Sequence, residues 1–256
     1  AAAEPLSEYF NIRSRFQEAL NLFEMAYKGT VRHASTNQLS SHSAMHKARF
    51  LVRLGRYKDG EQAAEEAVKL ARKADDNWCT AMAYVWWCQA FWQQGLMQEA
   101  LAVLDKGEPF KEKTRDEYLN GRFYHQRSVI FAILGNTQKA LDYSDLAVAS
   151  FNHLNFIYHE AVSLNTYGVI LNDRALYTEA KEVFEKTIGL IEPKFMPGFF
   201  ADLQINLAIS NKDLNNFSIA QSSLDKALQI FQELNLRAQE AMIYSNMADL
   251  FRETGQ

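Results

Sequence analysis

Two histidines, His42 and His46, stand four residues apart and would face the same way on a helix. This is the spacing of paired zinc ligands. The intervening Ser43-Ala44-Met45 lacks the glutamate of the zinc-protease motif, and no third ligand is identifiable. We therefore expect no metal at this pair and no cofactor in the chain.

Other groups that could do chemistry also lack their partners. Gly55 and Gly60 have the spacing of a phosphate-binding loop, but Glu61 stands where that loop requires lysine. Cys79 and Cys88 are nine residues apart on one predicted helix, which separates them by about 13 Å. A disulfide needs Cα atoms within about 7 Å, so these cysteines cannot pair with each other. We expect Cys88 to be buried and inert, and the chain not to be an enzyme.

The glycines belong instead to a repeat with a period of 40 residues. The repeated position falls on Gly55, Gly95, Gly135, Ala175, Asn215 and Gly255. Small residues recur seven positions before it and five after it, where two helices would cross closely. Bulky apolar residues recur four positions before it, at helical spacing. A fixed period of this size indicates one helix–turn–helix unit stacked many times.

The series of small, aromatic, glycine, aromatic and alanine positions resembles the tetratricopeptide repeat over roughly residues 14–256. The usual repeat has about 34 residues. The 40-residue period is similar to a longer-helix variant found in bacterial signalling and regulatory proteins. Phe231-Gln232-Glu233-Leu234-Asn235 is typical of that variant, and Phe151-Asn152-His153-Leu154-Asn155 echoes it. The resemblance implies an all-α fold, a right-handed α-solenoid of stacked antiparallel helix pairs.

We expect one repeat domain over residues 1–256. Its units cover approximately 1–36, 37–76, 77–115, 116–156, 157–198, 199–237 and a partial 238–256. First helices are predicted at 37–54, 77–94, 116–134, 157–173, 199–213 and 238–253. Second helices are predicted at 58–74, 97–107, 137–152, 177–191 and 217–234, after an earlier one that starts near Ser14 and ends near Lys28.

Prolines should interrupt this pattern. Pro109 is expected to end its helix at 107 and to leave 107–110 as an irregular link, and Pro193 and Pro197 mark the turn after 191. The chain stops at the end of a first helix, so we expect it to be a fragment of a longer protein. The alternative is that this last helix caps the array alone or pairs with a second copy.

In the resembling family, the first helices line a concave groove. The groove positions carried over to this sequence are His42, His46, Arg49, Trp86, Gln89, Trp92, Gln93, Arg122, His125, Gln126, Asn165 and Asn172. Such a groove would be basic and aromatic at one end and rich in amides further on, which suits a peptide with carboxylates. Trp86 and Trp92 could equally fill the core, and Trp87 is expected there.

Charge and hydrophobicity narrow the class of binding partner. The net charge is −4, although residues 1–60 carry nine Lys/Arg against five Asp/Glu. No apolar run approaches 18 residues. We expect a protein or peptide partner, with no nucleic acid bound and no membrane span in this segment.

The resemblance implies a binding scaffold, the sensory or regulatory module of a bacterial signalling protein. Its output domain would be a GGDEF-type cyclase or a transcriptional regulator. One alternative is a structural self-association module, a homo-oligomer formed through the uncapped C-terminal helix. The other is a peptide-regulated phosphatase, which ranks lower because residues 1–13 are too few for the helical bundle of such proteins.

Overall fold

A computed structural model describes residues 3–31 and 36–255. These residues form thirteen α-helices and no strand. The helices are α1 Ala3–Ile12, α2 Phe16–Thr30, α3 Asn37–Arg53, α4 Tyr57–Lys73, α5 Asn77–Trp92, α6 Met97–Thr114, α7 Glu117–Ile133, α8 Thr137–His153, α9 Ile157–Asp173, α10 Tyr177–Leu190, α11 Pro197–Asp213, α12 Phe217–Glu233 and α13 Arg237–Thr254. The all-α fold class is confirmed. Residues 32–35, which the first predicted unit includes, lie outside the described part.

The chain divides into two compact units, unit 1 (Ala1–Leu154) and unit 2 (Asn155–Gln256). In unit 1, α3, α5 and α7 each pack along the helix that follows them, and in unit 2 so do α9 and α11. Within each unit, these first helices also contact one another. The second helices of the described pairs make at most marginal contact with one another. The first helices therefore form the inner face of each unit.

The repeated position of the sequence is where a first helix ends in the left-handed conformation. The φ angle is 75° at Gly55, 80° at Gly95 and 74° at Gly135, and it is also positive at Ala175 and Asn215. Each of these residues turns the chain after its helix, where the left-handed conformation is common. The period of 40 residues thus marks equivalent turns.

Small side chains lie where the helices of a pair cross. Ala48, Cys88 and Ser128 are fully buried. A Cβ added to Gly168 would lie 2.6 Å from Cε1 of Phe184, closer than carbon atoms can approach. The recurring small residues are therefore required by packing between the two helices.

The expected break at Pro109 is wrong. Helix α6 continues through this proline to Thr114 and ends at Arg115, whose φ is 52°. Gly107 is a packing residue, because an added Cβ would lie 2.9 Å from both Phe123 and Tyr84. A proline inside a helix removes one backbone hydrogen bond, and the packing of α6 against α5 and α7 outweighs that loss.

Candidate protein-binding face

The residues predicted to line a groove lie on the inner helices of the two units. In unit 1 they lie on α3, α5 and α7, apart from Gln93, which directly follows α5, and in unit 2 on α9. The repeat pattern places them there, because groove positions keep a fixed distance from the turn that ends each first helix. Their surroundings differ, and three of them form the centre of the unit 1 face.

At this centre, Trp86 of α5 lies between two arginines. The Cζ atom of Arg49 (α3) is 5.0 Å from a ring centroid of Trp86, and that of Arg122 (α7) is 4.6 Å away. The three residues are 4%, 1% and 6% exposed, respectively. A guanidinium over an indole ring is attracted by the ring's electrons, and more strongly where water is excluded. The stack therefore joins three successive inner helices and fixes one positive charge on α3 and one on α7.

Helix α1 supplies carboxylates to this basic region. Nη1 of Arg49 lies 2.8 Å from Oε1 of Glu8 and also donates a hydrogen bond of 3.1 Å to Oγ of Ser7. Glu4 lies one turn earlier, 3.8 Å from Arg49 and 3.4 Å from Nε2 of His46. The basic end that the sequence predicted as an open groove is therefore occupied by the chain's own first helix.

Burial sets the protonation of this cluster. Burial lowers the pKa of His46 well below its usual value, and the nearby charge of Arg49 lowers it further. Burial raises the pKa of Glu4, against the opposing effect of Arg49. Burial also opposes the charge on Arg49, but the carboxylate of Glu8 outweighs it and the net pKa is raised. The imidazole of His46 is therefore neutral near pH 7, while Arg49 keeps its charge.

His42 faces a different partner. Its Nε2 lies 2.9 Å from Oδ2 of Asp76, the residue that caps the start of α5, and its ring stacks on Trp78. The hydrogen bond from His42 and the backbone N–H of Cys79 lower the pKa of Asp76 in spite of burial. No group of three or more potential metal ligands occurs among the described residues. His42 thus ties α3 to the start of α5.

The remaining predicted residues of unit 1 are mostly used within the protein. Nε1 of Trp92 donates a hydrogen bond of 2.7 Å to Oε1 of Gln126, which joins α5 to α7. Burial lowers the pKa of His125 to about 3. Gln89 is half-buried, whereas Gln93 is exposed. Of this group, Gln93 is the residue most open to a partner.

The predicted residues of unit 2 pair with polar groups of the next inner helix. Nδ2 of Asn206 donates a hydrogen bond of 2.8 Å to Oδ1 of Asn165. Oγ of Ser210 donates one of the same length to Oδ1 of Asn172. These predicted residues are neutral amides, and their hydrogen bonds connect α9 to α11.

The thiols of the two cysteines are buried and unreactive. Cys79 and Cys88 are free and fully buried. Burial raises the pKa of both thiols, so neither forms a thiolate near pH 7.

Known structures share the fold at low sequence identity. BtubC from P. vanneervenii superposes with a TM-score of 0.68 at 17% identity, covering 86% of this chain and 92% of that one. A STAND protein with a tetratricopeptide repeat sensor from Pyrococcus horikoshii gives 0.66 at 16% identity, covering 89% and 37%. A Rap protein complexed with Competence and Sporulation Factor gives 0.61 at 13% identity, covering 96% and 74%. The fold is that of tetratricopeptide-type repeats.

One sequence family matches part of the chain. The family described as Anaphase-promoting complex subunit 5 matches residues 7–94 of this chain. No curated protein matches the sequence. Within the described residues, no helix is both long enough and apolar enough to cross a membrane.

Proposed function

We propose that this chain is a non-catalytic scaffold that binds a partner protein or peptide on the inner face of its first helices. The main support is the stack of Arg49, Trp86 and Arg122. It holds one positive charge on α3 and one on α7 against an aromatic ring of α5. Tryptophan and arginine are the residues most enriched at binding hot spots. The fold of tetratricopeptide-type repeats agrees with a binding role, although fold alone does not specify function.

The scaffold would act as the sensory or regulatory module of a bacterial signalling protein. Support comes from the 40-residue period and from two proteins of similar fold. One carries a tetratricopeptide repeat sensor, and the other was determined in complex with Competence and Sporulation Factor. In this proposal, partner binding changes the packing of the first helices and so controls an output domain, a GGDEF-type cyclase or a transcriptional regulator.

A photo-crosslinking experiment in cells tests the binding face. A photoreactive amino acid is placed at Gln93, which is exposed directly after inner helix α5, or at Lys69, which is exposed on outer helix α4. We expect a partner to be crosslinked from Gln93 and not from Lys69. Crosslinking from Lys69 alone, or from neither position, would contradict binding on the inner face.

Self-association through α13 is the second candidate. This helix exposes Met242, Tyr244 and Phe251, which are large apolar side chains. Light scattering over a range of concentrations tests it. A mass that rises with concentration in the natural chain, and not in a Tyr244→Lys/Phe251→Lys variant, would support self-association. A mass equal to one chain throughout would exclude it.

A further inference from the structure

We infer that the basic end of the unit 1 inner face recognises a helix that carries two carboxylates one turn apart, and that α1 is a resident occupant which such a partner must displace. This inference rests on the proposed function and specifies the partner. The partner that displaces α1 is thus an acidic helical segment of another protein.

The contacts of α1 define what the face accepts. Glu4 and Glu8 are four residues apart, so their carboxylates project from the same side of the helix. Both approach the guanidinium of Arg49, and Glu4 also approaches His46. The charge of Arg122 acts on Glu4 as well. Any helix with acidic residues at this spacing could place its carboxylates in the same way.

Contacts that do not involve α1 also hold the receiving side. Arg49 and Arg122 come from α3 and α7, and both are held against the ring of Trp86 from α5. Oη of Tyr118 accepts a further hydrogen bond from Arg122 at 3.1 Å. Arg122 is therefore already positioned for another ligand. Arg49 would exchange Ser7 and Glu8 for the carboxylates of that ligand.

As a ligand, α1 fits imperfectly. Both ring nitrogens of His46, Nε of Arg49 and Nε1 of Trp86 are buried, and they form no hydrogen bond to the described residues. On α1 itself, both carboxylate oxygens of Glu4 are buried without a hydrogen bond within the described part of the chain. Burying a polar group without a hydrogen bond is unfavourable, so this opposes the docking of α1. A partner with an additional acceptor or donor at these atoms of His46, Arg49 and Trp86 would bind better than α1 does.

The orientation of α1 also indicates weak docking. It buries the polar Ser7 and Asn11, while Leu6 and Tyr9 are 39% and 49% exposed. Its apolar contact with the core of unit 1 comes from Ala3 and Phe10, which are only partly buried. Its packing on α2 is sparse compared with that of the regular pairs. Ser14, which has a φ of 55°, forms a turn between α1 and α2 about which α1 could move.

The test uses the full-length chain and a synthetic peptide. The peptide has the sequence of residues 3–13, AEPLSEYFNIR, with a fluorescent label, and a second peptide carries glutamine in place of both glutamates. Fluorescence anisotropy measures their binding to the natural chain and to a Glu4→Lys/Glu8→Lys variant, in which like charges expel α1. A Glu112→Lys/Glu182→Lys variant, changed at exposed glutamates, has the same net charge and serves as the control.

We expect the acidic peptide to bind the Glu4→Lys/Glu8→Lys variant at least tenfold more tightly than it binds the natural chain or the control. In the natural chain and in the control, tethered α1 competes with the peptide at a high effective concentration. The glutamine peptide should bind the variant at least tenfold more weakly than the acidic one. Hydrogen exchange should show faster exchange in α1 of the variant and unchanged exchange in α3–α7.

A further change tests the receiving side. Arg122→Gln, added to the Glu4→Lys/Glu8→Lys variant, should weaken the binding of the acidic peptide at least fivefold. If Arg122→Gln fails to fold, Arg49→Gln in the same background should have this effect. Equal binding of the two peptides, or no binding to any variant, would overturn the inference. Loss of helical circular dichroism beyond α1 in the Glu4→Lys/Glu8→Lys variant would also overturn it, because α1 would then be a structural element.

The two proposals can fail separately. If the acidic peptide binds the variant but crosslinking at Gln93 finds no partner, the acidic-helix site stands and the scaffold function is contradicted. If a partner is crosslinked from Gln93 and the peptides do not bind, the function stands and α1 is not its competitor.

Discussion

The inner faces of the two units are built from equivalent repeat positions, yet they carry opposite chemistry. In unit 1 the groove positions hold charged and aromatic side chains, centred on Trp86 between Arg49 and Arg122. In unit 2 they hold neutral amides and a hydroxyl, which pair between α9 and α11. The backbone repeat therefore fixes where a face lies, while individual residues decide what it can bind.

The difference also concerns what each face does for stability. Unit 1 buries charges that must be compensated, whereas unit 2 forms ordinary neutral hydrogen bonds, each of which contributes about 1 kcal/mol. All four tryptophans lie between residues 78 and 92. Tryptophan fluorescence therefore reports the unfolding of unit 1, and circular dichroism reports both units, so the two faces can be compared in one chain.

The largest effect is expected for Trp86→Ala. Removing this buried ring leaves a cavity and deprives both arginines of their aromatic partner, so the free energy of unfolding of unit 1 should fall by about 3–5 kcal/mol. Urea unfolding followed by the fluorescence of the remaining tryptophans measures it. Trp86→Phe keeps an aromatic face and should lose less than half as much. An equal loss for the two variants would show that the ring is not what supports the arginines.

Acid should destabilise unit 1 through His46. Its pKa is lowered in the folded protein, so below about pH 6.5 the unfolded chain binds a proton that the folded chain does not. Stability should then fall by up to about 1.4 kcal/mol per pH unit relative to a His46→Gln variant. The comparison between variants is necessary because Glu4, whose pKa is raised, acts in the opposite direction.

Urea unfolding at pH 7.0, 6.0 and 5.0 provides the measurement for this pair. Arg49 and His42 also face His46 and disfavour its charge, whereas Glu8 favours it. Parallel pH profiles for the natural chain and His46→Gln would mean that the imidazole is already accessible to protons in the folded protein.

In unit 2, Asn206→Ala should reduce stability by about 1 kcal/mol, because Oδ1 of Asn165 loses its donor. Asn246 occupies the equivalent position one repeat later, but within the described residues its side chain bonds only to the carbonyl of Met242 in its own helix. Asn246→Ala should therefore change stability by less than about 0.5 kcal/mol. Thermal unfolding by circular dichroism compares the two. Equal losses would indicate that the bond between α9 and α11 contributes nothing.

The smallest effect is expected at the turns. Ala175 adopts φ of 58° in unit 2, where a left-handed conformation costs a side-chain-bearing residue about 1–2 kcal/mol. Ala175→Gly should therefore stabilise the chain by about 0.5–1 kcal/mol after the added flexibility of the unfolded chain is subtracted. Gly135→Ala, the reverse change in unit 1, should destabilise by a similar amount. Melting temperatures that move in the same direction would contradict this account.

The repeat, the class of fold and the helices could be predicted because they follow from local rules. Left-handed turns favour glycine or asparagine, and crossing helices need small residues. The 40-residue period alone predicts a turn at Ala175, although alanine does not favour the left-handed conformation. Pro109 was interpreted wrongly because local propensity does not include the packing of α6 between its neighbours.

The occupation of the basic face could not be predicted in this way. Glu8 and Arg49 are 41 residues apart, one residue more than the repeat period, and α1 ends without a glycine and buries the polar Ser7 and Asn11. Its apolar pattern therefore gave no indication of where it would dock. The resemblance placed Arg49 and Trp86 on the inner face, and it could not show that the chain itself covers them.

The buried, protonated thiols of Cys79 and Cys88 have a practical consequence for labelling. Thiol reagents react with thiolates, which neither residue forms near neutral pH. A cysteine introduced on the surface would therefore be modified selectively, with both native cysteines left in place. Dyes attached at Leu6 on α1 and at Gln93, directly after α5, in a double-cysteine variant would then report the distance between these helices in single molecules.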